Sequence, residues 1–278
     1  MKKYEGKTTE QKREEVKSIV KNLEEGVKNV FNTEEYKKAL QFFSKFHQYS
    51  MNNSILIAMQ MPDASVVGSF QHWKTVGAKV KKGSKAIKIL CPVKYNYEVE
   101  NEDGTIEQKS GMTFRLGNVF DISQTDAKVP SLTKELKGNN SEINTLIQKI
   151  ISSYDKKIVI DAALNKKKEN GYYSLLEDDI HIKENLDDCH KLKTIIHEMA
   201  HSILHTIDEK KYTRNECEVQ AESVAYVTCN YLGIDSSNYS FGYIAGWSTG
   251  KTIKELKSSL NLIEKTSKKI ISFIEGLK

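Results

Sequence analysis

The sequence is short of the residues that punctuate or cross-link a chain. Only three prolines occur among 278 residues, and the four cysteines (Cys91, Cys189, Cys217 and Cys229) are scattered, with no C-x-x-C pair. That spacing argues against a disulfide scaffold and against a cysteine-ligated zinc site, and Cys217 reads as a structural thiol. No apolar run approaches the ~18–20 residues that would span a bilayer. The basic start "MKKYEGKTTEQKREEVK" has no apolar stretch behind it, so no secretory signal is read and the expected location is cytoplasmic. What remains is 38% hydrophobic and 28% charged, the balance of a soluble globular chain. The length allows two modest domains or one large one.

Acidic residues are missing from one particular place. The net charge is +5, and residues 1–130 carry 21 Lys+Arg against 16 Asp+Glu while residues 131–278 carry 21 of each. From Ala64 to Tyr97 there is no acid at all and there are seven lysines. Such asymmetry fits a polyanion-facing module joined to a neutral one, although a solvated lysine face accounts for the charge equally well. In "SFQHWKTVGAKVKKGSKAIKIL" Phe70 and Trp73 interleave with Lys74, Lys79, Lys81, Lys82, Lys85 and Lys88. Lysines that track phosphates and aromatic faces that stack on bases are the means by which single-stranded nucleic acid is held. The same composition arises if both rings are core and the lysines a wet surface.

Periodicity predicts helices over 8–31, from Asn32 or Thr33 onward, over "NNSILIAMQM", and over "GSFQHWKTVG". "KAIKILCPVKYNYEVE" and "IEQKSGMTFRLGNVF", joined at "NEDG", predict a β-hairpin. The second half predicts a helix near 142–152, a strand "KKIVID" and a strand pair in "GYYSLLEDDIHI". A helix capped by Asp187 or Asp188 then runs to about His205, and another runs from about Asn215 to Tyr231. A long amphipathic helix ends the chain, its stripe suited to packing on the domain or on a partner helix.

The chemistry lies in "KTIIHEMAHSILH". Residues four apart share a helix face, so His197 and His201 can present imidazoles to one ion while Glu198 is turned toward a water as general base. "NECEVQAESVAY" supplies Glu218 and Glu222, also four apart, 17 and 21 residues after His201. The pattern resembles that of thermolysin-like zincins, in which a ligand glutamate is followed four residues on by an acid that orients a zinc-bound histidine. That resemblance makes Glu218 the third ligand and Glu222 its support, with the reverse assignment left open. His205 lies about 12 Å along the axis from His197, too far for a shared ion on a regular helix, and is read as supporting. His181 and His190 have no spacing that recommends them as ligands. Tyr172, Tyr239 and Tyr243 are candidate oxyanion donors by residue type. The implied cofactor is Zn2+, with Glu198 taking the water's proton and giving it to the leaving amine.

"YSMNNSILIAMQMPDASVVGSFQHWKTVGAKVKKGSKAIKILCPV" resembles the N-terminal domain of the ArdC-type antirestriction proteins, and "VFDISQT" resembles that domain's closing strand. "GYYS", "LKTIIHEMAHSILH" and "EVQAESVAY" resemble the zincin-like metallopeptidase domain that accompanies it, and "YSFGYIAGWS" resembles the LtrC-like branch. The resemblance implies an α+β protein of two domains: a helical, β-hairpin module that binds single-stranded DNA, and a minimal zincin-like domain closed by the amphipathic helix. The expected boundaries are a helical lead at 1–30, the DNA-binding domain at 31–125, a linker at 126–141 and the metallopeptidase-like domain at 142–278. By position Tyr49, Asn53, Trp73, Lys82, Gly83 and Lys85 fall in the DNA-binding module. The implied role is protection of incoming DNA during conjugation, with an unidentified protein as substrate. The alternatives are a DNA-binding protector with a non-catalytic zinc, and a regulator-cleaving protease of the ImmA/IrrE kind without DNA affinity.

Overall fold

The structure is a computed structural model that describes residues 8–31, 33–101, 105–127, 140–205, 212–234 and 244–277. The chain forms two compact units, one from Met1–Gly26 with Asn52–Lys128 and the other from Val27–Met51 with Val129–Lys278. This division differs from the linear one expected from sequence. Helix α2 (Thr33–Lys45) belongs with the C-terminal unit, where its buried Tyr36 hydroxyl meets the Ser223 hydroxyl at 2.8 Å. The expected linker falls mostly on 128–139, outside the described residues.

The N-terminal unit contains helices α1 (Thr9–Val30, which runs past the division at Gly26), α3 (Met51–Gln60) and α4 (Phe70–Thr75). Its sheet has the order β1-β3-β2, all antiparallel, from β1 (Val67–Ser69), β2 (Ile87–Glu100) and β3 (Ile106–Asp121). The β2–β3 ladder runs from Ile87–Val119 at its base to Glu100–Ile106 at its tip. Only the base is buried, through Ile87, Ile89, Leu90 and Val119. Further out Tyr95, Tyr97, Met112 and Phe114 stand exposed, so the hairpin continues as a ribbon beyond the core.

An edge strand exposes unpaired amides and carbonyls. On β2 these are taken by α3: Asn53 donates to the Leu90 carbonyl at 3.0 Å and accepts from the Leu90 amide at 2.9 Å. Gln60, two turns on, does the same at Lys88, at 2.9 and 2.8 Å. Trp73 is buried in a cluster with Ala78 and Ile122, its indole N–H donating to the Phe120 carbonyl at 2.9 Å. Asp121 closes the sheet: its carboxylate accepts from the amides of Ser65, Val66 and Ser123.

The C-terminal unit holds a second sheet, order β4-β6-β5, from β4 (Ile158–Asp161), β5 (Gly171–Ser174) and β6 (Asp179–Lys183). Strand β4 is parallel to β6 and β5 antiparallel to it. With α5 (Asn140–Ser153), α6 (Asp188–Leu204), α7 (Arg214–Tyr231), α8 (Ile244–Ser248) and α9 (Ile253–Gly276) it completes the α+β fold. The terminal helix α9 packs on α7 and α6, burying Leu256, Leu260, Ile263, Ile270, Ile271 and Ile274. No described helix is long and apolar enough to cross a membrane.

Candidate metal centre

Helix α6 begins where the Asp187 side chain accepts from the His190 amide, one of the donors a helix start leaves unpaired. Its apolar stripe, Leu192, Ile195, Ile196, Met199 and Leu204, is buried, which leaves the polar stripe facing a cleft of about 1100 Å³. Helix α7 starts on a capping box between Thr213 and Glu216 and packs against α6. Edge strand β5 also lines the cleft. Gly171 permits this, since a Cβ there would stand 2.8 Å from Thr194 Cγ2 and 2.9 Å from the His181 carbonyl oxygen.

At the meeting of α6 and α7, His197 Nε2 and His201 Nε2 lie 3.0 Å apart, and Glu218 Oε2 lies 3.5 Å from the first and 3.7 Å from the second. A point equidistant from the three atoms would be about 2.0 Å from each, against the ~2.0–2.2 Å of zinc–nitrogen and zinc–oxygen bonds. The residues therefore fit a small divalent ion, with the cleft open to a further ligand.

The remaining ring nitrogens are held in an ordered chain. His205 Nε2 faces Gln220 Oε1 at 3.1 Å, and an amide oxygen can only accept. His205 Nε2 therefore carries the proton, His205 Nδ1 is left as acceptor, and His201 Nδ1, at 2.9 Å, donates to it. His201 Nε2 then offers a bare lone pair to the triangle, the tautomer a metal requires. Burial lowers the His205 pKa to about 4, which keeps that ring neutral. Glu222 Oε2 lies 3.9 Å from His197 Nδ1.

Electrostatics separate the three acids. The adjacent His197 and His201 rings hold Glu218 far below the usual carboxylate range. Burial raises Glu222. Burial also raises Glu198, against the pull of the His197 and His201 charges and of the Tyr173 backbone amide. Burial lowers His197, but Glu218, Glu198 and Glu222 more than offset it. A buried carboxyl shifted upward is the kind of group that exchanges protons near neutrality.

The structure thus brings His197, Glu198, His201, Glu218, Glu222 and His205 together around one cleft. Gln220 is an addition to the set, and its i,i+2 offset from Glu218 and Glu222 hid it in the sequence. Tyr172 lines the cleft but stacks its ring on His181, while Tyr239 and Tyr243 lie outside the described residues.

The residues expected to contact DNA do not all remain available. Asn53 is buried with both amide atoms committed to β2, and Trp73 is 3% exposed with its indole committed to Phe120. Both expectations are corrected: these side chains hold the fold. Tyr49 belongs to the C-terminal unit, where it packs edge-on against Phe46. Gly83 takes a positive φ of 86° in the turn that precedes β2, a conformation suited to glycine. Phe70 is 59% exposed, and Lys74, Lys79, Lys81, Lys82 and Lys85 are exposed as well. Lys81 reaches the Ser123 carbonyl and the half-buried Lys88 reaches Asn118.

Fold and motif together define a class: an α+β chain that joins a small-sheet unit to a helix pair carrying H-E-x-x-H and a converging glutamate. Residues 9–120 match the family model of the N-terminal domain of anti-restriction factor ArdC. The crystal structure of metal-free antirestriction protein ArdC from plasmid R388 aligns with a TM-score of 0.50 at 19% identity, over 81% of this chain and 84% of that one. Its Mn(II)-bound form aligns with a TM-score of 0.45 at 18% identity, over 81% and 83%. An uncharacterised Bacillus anthracis protein, pXO2-81, is 28% identical over 317 aligned residues, which cover 99% of this chain. The chain spans about half the length of that relative, 54%.

Proposed function

We propose that the chain is an antirestriction protein of a mobile element that binds single-stranded DNA and carries a zinc-dependent peptidase site. The observation that carries the second half is the triangle of His197, His201 and Glu218, whose dimensions suit Zn2+ and which, among the described residues, opens onto a cleft instead of being closed by a fourth side chain. When bound there, the ion supplies Lewis acidity toward a carbonyl oxygen and a water. Glu198 accepts the proton of the attacking water and delivers it to the leaving amine, so that water adds across the peptide bond with no net proton change. The Tyr173 amide, bonded to the Glu198 carboxylate, aims it. Edge strand β5 gives an extended peptide a ladder to pair with, which favours a protein substrate laid along the cleft.

The match of residues 9–120 to the ArdC N-terminal domain model and the acid-free lysine segment support the DNA-binding half. Phe70 supplies an exposed stacking face and Lys74, Lys79, Lys82 and Lys85 the phosphate contacts. Tyr95 and Tyr97 extend the surface: their centroids are 5.8 Å apart, exposed, on the ribbon face they share with Arg115.

The deciding experiment is Glu198→Gln in a conjugation assay against a restricting host. Zinc content and DNA affinity are expected to stay at wild-type levels while protection is lost. Full protection by the variant would leave the second reading, a DNA-binding protector whose metal does no chemistry.

A further inference from the structure

The second sheet has two faces of opposite character. Ile180 and Ile182 are fully buried on the side that meets α6, the side on which Gly171 touches Thr194. Successive strand residues alternate between faces, so Asp179 and His181 point to the other side, together with Asp161 and Tyr172 of the neighbouring strands. There His181 Nε2 lies 3.3 Å from Asp179 Oδ1 and 3.9 Å from Glu177 Oε2, with one ligand atom of each residue within 4.8 Å of the others.

The His181 ring is fixed on both its remaining aspects. Asp161 Oδ2 stands 3.1 Å from Nδ1, and the Tyr172 ring stacks on the imidazole at 4.7 Å and 4°. Asp161 is itself oriented by the Ala163 amide at 2.8 Å. A carboxylate can only accept from a neutral imidazole, so Nδ1 carries the proton and Nε2 turns a lone pair toward Asp179. Asp179 is 9% exposed, and neither its Oδ1 nor His181 Nε2 has a hydrogen-bond partner although both atoms are buried. Two buried acceptors 3.3 Å apart, facing one space without bonding each other, repel unless a cation lies between them. Their separation is that of neighbouring ligands in a shell of ~2.1 Å bonds.

We propose that His181, Asp179 and Glu177 form a second divalent-cation site, distinct from the H-E-x-x-H centre and on the opposite face of the sheet from α6. One imidazole and two carboxylates suit a first-row transition ion such as Mn2+ or Zn2+, because an imidazole ligand is a poor match to Mg2+ or Ca2+. Asp161 is the carboxylate that orients the ligand histidine. Glu177 lies in the turn between β5 and β6, while Asp179 and His181 lie on β6. An ion held by all three fastens that turn, and with it strand β5, which carries the Tyr173 amide that aims Glu198. The site is thus a structural clamp on one wall of the cleft.

The test is metal stoichiometry and affinity of the full chain, with Mn2+ and Zn2+ each used alone as probe. His197→Ala/His201→Ala is expected to retain one equivalent, and adding Glu177→Gln is expected to weaken its binding by roughly tenfold or more. Glu177 is exposed in a turn, so this substitution leaves the core intact. In the otherwise wild-type chain Glu177→Gln and Asp179→Asn should each weaken one of two equivalents and spare the other, a reading that holds even where the double histidine variant fails to fold. A wild-type chain that binds one equivalent, or two that neither substitution weakens, overturns the proposal.

Discussion

The conspicuous polar and aromatic residues of the two units are answered in different ways. In the N-terminal unit the backbone answers them: Asn53 bonds both backbone atoms of Leu90, Trp73 the Phe120 carbonyl, and Asp121 three amides. Between α6 and α7 the side chains answer one another, as His197, His201 and Glu218 turn their basic atoms toward one point. A buried polar group paired with backbone stabilises a particular chain path. Groups whose nearest partners are other ionisable side chains, in a cleft, are arranged for something that arrives from outside. Residue type does not distinguish the two situations, and partner type does.

The largest effect expected from this contrast is on Trp73. Trp73→Ala should destabilise the N-terminal unit by about 3–5 kcal/mol, through lost burial and an orphaned Phe120 carbonyl. Urea melts monitored by far-UV circular dichroism measure this. If the variant instead kept its stability and lost affinity for single-stranded DNA, Trp73 would be a stacking residue and the contrast would be broken.

Next is Gln220→Ala, which removes the acceptor that fixes the His205 and His201 tautomers. Metal affinity should fall about 10–100-fold, or ~1.4–2.7 kcal/mol, by chelator competition. An unchanged affinity would mean that His201 needs no relay to present Nε2. Fold stability should fall as well, by about 1–3 kcal/mol, because Gln220 is buried and its amide also donates to the buried Ser259 hydroxyl.

Asp121 tests the backbone-paired class through pH. Burial raises its pKa, but the bonds from the Ser123, Ser65 and Val66 amides more than offset this, and the net shift is downward. A depressed carboxylate contributes stability that is present above the unfolded value of about 3.9 and is lost as pH falls through the lower folded value. The N-terminal unit should therefore lose stability below about pH 4. Asp121→Asn should lower the neutral-pH stability by about 1–3 kcal/mol and flatten that acid limb. Melts from pH 2 to 7 read both.

The elements were legible wherever periodicity was strong. The α6 and α7 spans, the hairpin and the terminal helix fall within a residue or two of their patterns, because caps such as Asp187 and Thr213 stand at the starts. His197 and His201 share a helix face by spacing alone, whereas Glu218, on another helix, is reached from sequence only through the resemblance to thermolysin-like zincins, with Glu222 as the alternative. The burial of Asn53 and Trp73 is not legible in the sequence, since each is held by a tertiary partner 37 or 47 residues away. The placement of α2 in the C-terminal unit was likewise hidden, as it rests on a contact between Tyr36 and Ser223. His181 has no ligand-like spacing to another histidine, and its alternation with Glu177 and Asp179 along a strand is the period that supports the proposed second site.

The smallest effects should come from the exposed lysines. Lys82 and Lys85 are solvated, so Lys82→Ala/Lys85→Ala should change stability by no more than about 0.5 kcal/mol. Each lysine that neutralises a phosphate contributes ~0.7 to the slope of log affinity against log salt on a single strand, so the pair should reduce the slope by about 1.4. Titrations of an oligonucleotide at several salt concentrations measure it. Phe70→Ala should weaken binding while leaving that slope in place, because stacking releases no counterions. Should the double lysine variant keep its slope, Lys82 and Lys85 are an ordinary solvated face, and the proposed DNA surface shifts to the ribbon carrying Tyr95, Tyr97 and Arg115.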